Sequence, residues 1–332
     1  MKTKFLLLFV VLLLAAYPIV MGKSSPYSVA IMIVLGVYVI LAVSLDVLVG
    51  FAGQISLGHA AFFAIGAYTS GIFTAKYDLP PILALLIGQA FSGSLAWLIG
   101  VSVLALRGYY LAMATLGLSA IVYSLIVGFQ SVTGGASGLR DIPPFSLFGF
   151  SFDEYVYYYY VVWAVVCLVV GSSLLLVKSS FGRTLTAIHG DETAAGTLGI
   201  YCDKIKTSVF VFASMFAALA GSLYAHYTSF LAPDDFGIFT SIHILIMVFL
   251  GGIGTIYGPA LGAIFLKLLP EFTHSFRDYE LLVNGLILIT VLVFTQKGLW
   301  GMFLAMRKRF MEAFRSSGVR KREEEMDEEP VI

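Results

Sequence analysis

KSSFGRTLTAIHGDETAAGTLGIYCDKIK, running from Lys178 to Lys206, gathers Lys178, Arg183, His189, Asp191, Glu192, Asp203, Lys204 and Lys206 into one connection between two long apolar segments. Charge at that density belongs in water, whereas the flanking runs Tyr155 to Val177 and Thr207 to Tyr227 are long and greasy enough to lie in lipid. Within the connection Asp191 can accept hydrogen bonds as an N-cap, and Gly199 can take the left-handed position past a helix end. A short helix is therefore expected over Glu192 to Leu198, with Ala194, Ala195 and Leu198 on one small apolar face. Such a helix either presses into a groove on another protein or is an ordinary amphipathic loop helix.

Composition extends this reading to the whole chain. Of 332 residues, 59% are hydrophobic and 12% charged, against about 25% charged in soluble globular proteins. The fold class expected is all-α, a polytopic integral membrane protein with about ten transmembrane or partly re-entrant helices. The spans are read at residues 5–20, 28–49, 60–75, 82–106, 109–129, 155–177, 207–227, 239–250, 259–269 and 281–295. The first has the character of a signal peptide or of a helix, and no A-x-A site follows it, which favours the helix. Residues 1–302 form the expected transmembrane domain, with loops at 178–206 and 130–154. Residues 303–332 form a charged tail ending in KREEEMDEEPVI, read as disordered and solvating.

Charge placement orients the threading. Lys2, Lys4, Arg107, Lys178, Arg183, Lys204, Lys206 and the basic residues from Lys297 onward fall on one side; Lys23, Lys76, Arg140 and Arg277 fall on the other. The positive-inside rule places both termini and the 178–206 loop in the cytoplasm, in a multi-pass protein of the cell membrane. The 130–154 loop is then external.

No catalytic motif is present: there is no P-loop, no HExxH and no GxSxG, and the five histidines lie in different segments. Cys167 and Cys202 have no metal-ligand spacing and are not expected to pair. His226 and His243, near helix ends, read as satisfied structural histidines, and Tyr157 to Tyr160 as an interfacial aromatic belt.

Three sets within the apolar regions carry more. Asp46 followed by GFAGQISLGHAAF puts Gly53, Gln54, Ser56, Gly58 and His59 where polar backbone survives only if protein buries it or a water path wets it. These residues either line a translocation pathway or form a turn capped by Ser56. In GGIGTIYGPALGA, Gly254, Gly258 and Gly262 recur every four residues, a close-packing face if helical, while Pro259 would break or start a helix. A broken helix at mid-membrane is also how transporters build ligand sites. Lys267 and Glu271 are spaced for a local i,i+4 ion pair.

Several blocks together resemble a known family. They are Gly50 to Thr69 (GFAGQISLGHAAFFAIGAYT), Leu104 to Ser119 (LALRGYYLAMATLGLS), Thr133 to Pro144 with TGGASGL and IPP, and Leu250 to Ala263 (LGGIGTIYGPALGA). With the run Gly182, Arg183, Leu185, Ala187, Ile188, Glu192, Ala194, Ala195, Leu198, Gly199 and Ile200, they resemble permease subunits of branched-chain amino acid ABC importers of the LivM type. The resemblance implies a transmembrane subunit that moves leucine, isoleucine or valine delivered by an external binding protein. Closely similar permeases serve urea, amides and other small molecules. The partners implied are a second homologous permease, two cytoplasmic ABC ATPases, the extracytoplasmic binding protein and the lipid membrane, and no nucleic acid. The subunit itself would be no enzyme and hold neither cofactor nor metal, ATP being bound by the partners.

The resemblance makes the charged loop the coupling element, with Gly182, Arg183, Ile188, Asp191, Glu192, Ala194, Ala195, Leu198 and Gly199 as ATPase-coupling residues. Thr133, Gly134, Gly135 and Gly138 mark the external loop. His189 stands where this family is expected to carry Arg or Lys. A rival reading, an ATP-independent secondary transporter, needs intramembrane carboxylates, of which Asp46 is the obvious candidate.

Overall fold

The computed structural model describes Tyr17, Pro18 and residues 26–273 apart from 105, 107, 148 and 149, and then residues 282–283, 285–286, 289–290, 293 and 298–306. The expected first span lies outside the described residues apart from Tyr17 and Pro18, Arg107 and the tail from 307 lie outside them, and the span at 281–295 lies partly outside them.

The helices in chain order are α1 (Pro26–Asp46), α2 (His59–Tyr77), α3 (Pro81–Val103), α4 (Tyr109–Gly128), α5 (Tyr155–Lys178), α6 (Ser180–Gly190), α7 (Glu192–Thr197), α8 (Cys202–Thr228), α9 (Ile238–Gly251) and α10 (Tyr257–Thr273). A π-helical turn, Val47–Phe51, continues α1, and a single α-helical turn, Gln130–Thr133, follows α4. The β structure among the described residues is a hairpin of two-residue strands, Ser146–Leu147 with Phe150–Ser151, and one bridge between Leu139 and Leu231. The all-α expectation holds. Among the described residues five helical stretches, α1 with its π turn, α3, α4, α5 and α8, are long and apolar enough to cross a membrane.

Helix α2 falls short of that standard, and its position explains why. It runs through the middle of the bundle, packed against α8 and α3, with every residue from His59 to Tyr68 buried. Facing protein and not lipid, it can carry a histidine, serines and glycines. Close approach to α8 depends on two missing side chains: a Cβ at Gly66 would collide with the Ala218 backbone, and one at Gly221 with the Phe63 carbonyl. Ser222 Oγ then donates across the contact to Gly66 O (3.2 Å), and Ser92 Oγ on α3 donates to Ser214 O on α8 (3.0 Å). Bonds of this kind between membrane helices contribute about 0.6 kcal/mol each. Helix α1 is the second buried column and packs against α5, α8, α9 and α10. Helices α3, α4 and α5 form the outer layer and leave Trp97, Met113, Leu168 and Leu175 exposed.

The bundle has two distinct ends. One carries the 179–201 segment and is called here the platform end. At the opposite, far end the 130–145 loop is knotted: Thr133 Oγ1 donates to Phe129 O (2.9 Å) and accepts from Gly135 N–H (3.2 Å). Gly134, Gly135 and Gly138 all adopt positive φ. His226 Nδ1–H donates to Pro143 O (2.8 Å), which leaves Nε2 to accept from Ser70 Oγ (2.9 Å). His226 is thus the satisfied structural histidine expected, whereas His243 is exposed on α9.

Three expectations need correction. Tyr158 and Tyr159 are buried core residues, with Tyr158 OH donating to Leu223 O (2.6 Å); only Tyr157 and Tyr160 on the same turn face outward. Helix α5 turns two of these rings inward because it packs along α1. Gly254 does not share a helix with Gly258 and Gly262. It lies in the turn between α9 and α10, while Pro259 occupies the first turn of α10 and Gly262 admits the Met247 carbonyl of α9. Lys267 and Glu271 do not pair: Lys267 Nζ sits 3.5 Å from the centroid of the Tyr38 ring, and Glu271 accepts from Tyr27 OH (3.1 Å). Aromatic partners on α1 win over the weak local pair because α10 packs directly on α1.

Candidate functional site: a two-helix platform and the segment beneath it

The charged connection folds into two helices, not the single one expected. Ser179 opens α6 by accepting from Gly182 N–H (3.4 Å). The sequence signal for α6 is the spacing of Gly182, Leu185 and Ile188, all buried against the bundle, with Arg183, Thr186, Ala187 and His189 exposed. Asp191 then ends α6 and caps α7, accepting from Thr193 N–H (2.8 Å) and Ala194 N–H (3.0 Å). Gly199 takes φ +83 beyond the helix, and Ile200 N–H closes back onto Ala195 O (3.3 Å).

The expected face of Ala194, Ala195 and Leu198 divides between two sides of α7. Ala195 is buried, whereas Ala194 is exposed and Leu198 is 80% exposed. The anchor that sets this rotation was not foreseen. Lys206, on the first turns of α8, is 1% exposed and forms an ion pair with Glu192 of 2.6 Å. Cys202 Sγ lies 3.6 Å from Glu192 O on the same side. Glu192 is therefore held inward, Ala195 follows it, and the outer surface is left to Arg183, Ala194, Leu198 and Tyr201.

The platform rests on the π turn and the loop that follows α1. His189 Nδ1–H donates to Gly50 O (3.1 Å), and a Cβ on Gly53, whose φ is +68, would press against the His189 ring. From there the polar segment runs inward. Leu57 N–H donates to Thr115 Oγ1 on α4 (3.0 Å), Ser119 Oγ donates to Leu57 O (2.9 Å), and Ala60 N–H donates to Ser241 Oγ on α9 (3.0 Å). Ser56 Oγ accepts from Gly58 N–H (3.3 Å). Ser44 Oγ donates to Leu41 O, so His59 Nε2–H donates to Ser44 Oγ (2.9 Å). Asp46 is fully buried, with Oδ1 accepting from Gly254 N–H (2.9 Å). The absent side chain at Gly50 leaves the space in which that bond forms.

Of the six residues expected along a pathway, Asp46, Ser56, Gly58 and His59 are buried within the packing, Gln54 is half-buried and Gly53 is exposed beneath the platform. Hydrogen bonds tie the segment to the platform, to α4 and to α9.

The family described as "Branched-chain amino acid transport system / permease component" matches residues 27–292, and the chain belongs to that family. It is 32% identical to the high-affinity branched-chain amino acid transport system permease protein LivM of Salmonella typhimurium, over 90% of this chain and 75% of that one. It is 31% identical to LivM of Escherichia coli K12 over the same shares. The permease LivH of Escherichia coli K12 is 26% identical over 80% of this chain and 91% of its own. No solved structure matches.

Proposed function

We propose that the chain is the membrane permease subunit of an ATP-driven importer for branched-chain amino acids, with the α6–α7 platform as the surface on which a cytoplasmic ATPase docks. The observation that carries this reading is the buried Lys206–Glu192 ion pair. It fixes α7 to α8, so a force applied at Leu198 reaches the bundle through a held lever and is not lost in a loose loop. The basic excess at the platform end supports placing that end in the cytoplasm.

ATP would be bound and hydrolysed by the partner, and this chain would supply the two-state element that ATP binding biases. The segment from Gly50 to His59 acts in this reading as a strut that passes platform movement to α4 and α9. A second permease would cover the exposed face of α4, and an extracytoplasmic binding protein would deliver substrate to the far end, where the Thr133 to Gly138 knot offers a rigid surface. The test is reconstitution of the permease pair with its ATPases and binding protein in liposomes. Uptake of radiolabelled leucine that requires internal or external ATP on the platform side supports the proposal; leucine uptake by the permeases alone, without ATP, overturns it.

A further inference from the structure

Between α4 and the start of α9 the bundle holds a cavity of about 480 Å³ that the coupling reading leaves unused. Two walls enclose it. Ala120, Tyr123 and Ser124 of α4 form one; Asp234, on the 3₁₀ turn Pro233–Phe236, and Ile238 and Phe239, at the start of α9, form the other. Tyr123 OH donates to Asp234 Oδ1 (2.8 Å), so a phenol and a carboxylate join the two walls.

The turn that carries Asp234 is held from behind. Phe236 is buried against the rings of Phe63 and Tyr68 on α2, with centroids at 4.9 and 5.6 Å. Asp235 Oδ2 accepts from Tyr224 OH (3.2 Å), and Thr240 Oγ1 donates to Asp235 O (2.8 Å). Asp234 itself is exposed, and among the described residues no cationic side chain pairs with it.

Its depth says what it faces. Helix α4 is long and apolar enough to cross a membrane, and Tyr123 lies five residues before its last residue, about 8 Å inside the far end. An ionised carboxylate at that depth looks into water or onto a cation, not into lipid. The larger hollow of about 630 Å³ between α3, α5 and α8 is different: it is lined by apolar side chains and Gln89, with no ionisable group.

An aliphatic amino acid presents an ammonium, a carboxylate and a compact apolar side chain. The cavity offers the Asp234 carboxylate beside the Tyr123 ring for the ammonium, and the Ser124 hydroxyl as a donor to the substrate carboxylate. Ala120, Ile238 and Phe239 supply the apolar surface, and the volume falls within the range of small-molecule sites. Resting on the importer reading above, we propose that this cavity is a transit site on the substrate's way inward, in which Asp234, positioned by Tyr123, receives the α-ammonium.

The test uses the complete reconstituted transporter and measures radiolabelled leucine uptake beside ATP hydrolysis stimulated by the loaded binding protein. Asp234→Asn keeps an oxygen for Tyr123 and removes the charge. Uptake is expected to fall at least tenfold, while the partner ATPases are still stimulated to within twofold of wild type. Asp234→Glu is expected to keep uptake with a raised KM, as is Tyr123→Phe, which leaves the charge but releases it from its tie. Uptake by Asp234→Asn within twofold of wild type overturns the site, as does a parallel loss of uptake and hydrolysis. Where Asp234→Asn does not assemble, Ser124→Trp decides: a ring placed in the cavity should cut uptake tenfold with hydrolysis retained, and uptake within twofold of wild type overturns the site. Failure of the wild-type complex to move leucine would instead overturn the importer reading on which the site rests.

Discussion

Lys206 and Glu192 meet at 2.6 Å with Lys206 almost entirely withdrawn from solvent, and this contact joins the short helix α7 to α8, the helix packed along the central α2. Removing one partner of a buried pair leaves the other charge uncompensated, at a cost of about 3 kcal/mol; the partial exposure of Glu192 reduces this figure. Lys206→Met is expected to lower the thermal midpoint of the purified complex and to cut substrate-stimulated ATP hydrolysis at least fivefold. The double variant Lys206→Met with Glu192→Gln should regain part of the lost midpoint but little of the coupling. Equal recovery of both would show that the pair holds the fold and transmits nothing.

Leu198 tests the docking surface without disturbing the anchor. It is 80% exposed and follows α7 as the C-cap residue, and substitutions at such positions usually change stability by no more than about 0.5 kcal/mol. Leu198→Asp should leave the chain's abundance in the membrane unchanged and reduce stimulated ATP hydrolysis tenfold or more. Ala195→Trp should behave differently, because Ala195 faces the bundle: it should destabilise the platform itself and lower abundance. Full stimulation in Leu198→Asp would move the docking surface elsewhere.

The contrast between those two residues shows how far the sequence could be read. Asp191 as a cap and Gly199 in the left-handed region follow from local chemistry, and both appear as expected. Which side of α7 faces out depends on Lys206, which lies on another helix beyond the Gly199 turn, and no local pattern encodes that pairing. The membrane class was legible because hydropathy is a property of composition. The centrality of α2 was not, since low hydropathy in a buried helix looks the same in sequence as weakness in an exposed one. The contact of Lys267 with Tyr38 was invisible for a similar reason: the two lie on different helices, and Lys267 has an obvious local partner in Glu271 that it does not use.

Glycine position offers a stability test with a built-in control. Gly66 lies against the backbone of Ala218, where any side chain must push α2 and α8 apart, whereas a Cβ at Gly171 on α5 would enter open space. Overpacking of this kind costs about 1–3 kcal/mol, and here the obstacle is backbone, which cannot swing away. Gly66→Val should lower the detergent-solubilised melting midpoint by several degrees or prevent accumulation, and Gly171→Ala should leave it unchanged or slightly raised. Matching effects at the two sites would remove close α2–α8 packing as the reason for glycine at 66.

Asp46 separates a structural role from a role in transit. Its Oδ1 holds the N–H of Gly254, the residue that turns the chain from α9 to α10 with φ +71. An asparagine preserves a carbonyl oxygen for that N–H while abolishing any negative charge; an alanine leaves the N–H without its partner, at a cost of about 1–3 kcal/mol. If the residue acts by holding the α9–α10 turn, Asp46→Asn should retain at least half of wild-type leucine uptake, and Asp46→Ala should lose abundance and uptake together. If the carboxylate instead serves a pathway, Asp46→Asn should lose uptake at normal abundance, and the strut assigned to Gly50 through His59 would have to be redrawn as a lining. The full burial of Asp46 and the Oδ1 bond to Gly254 favour the first outcome.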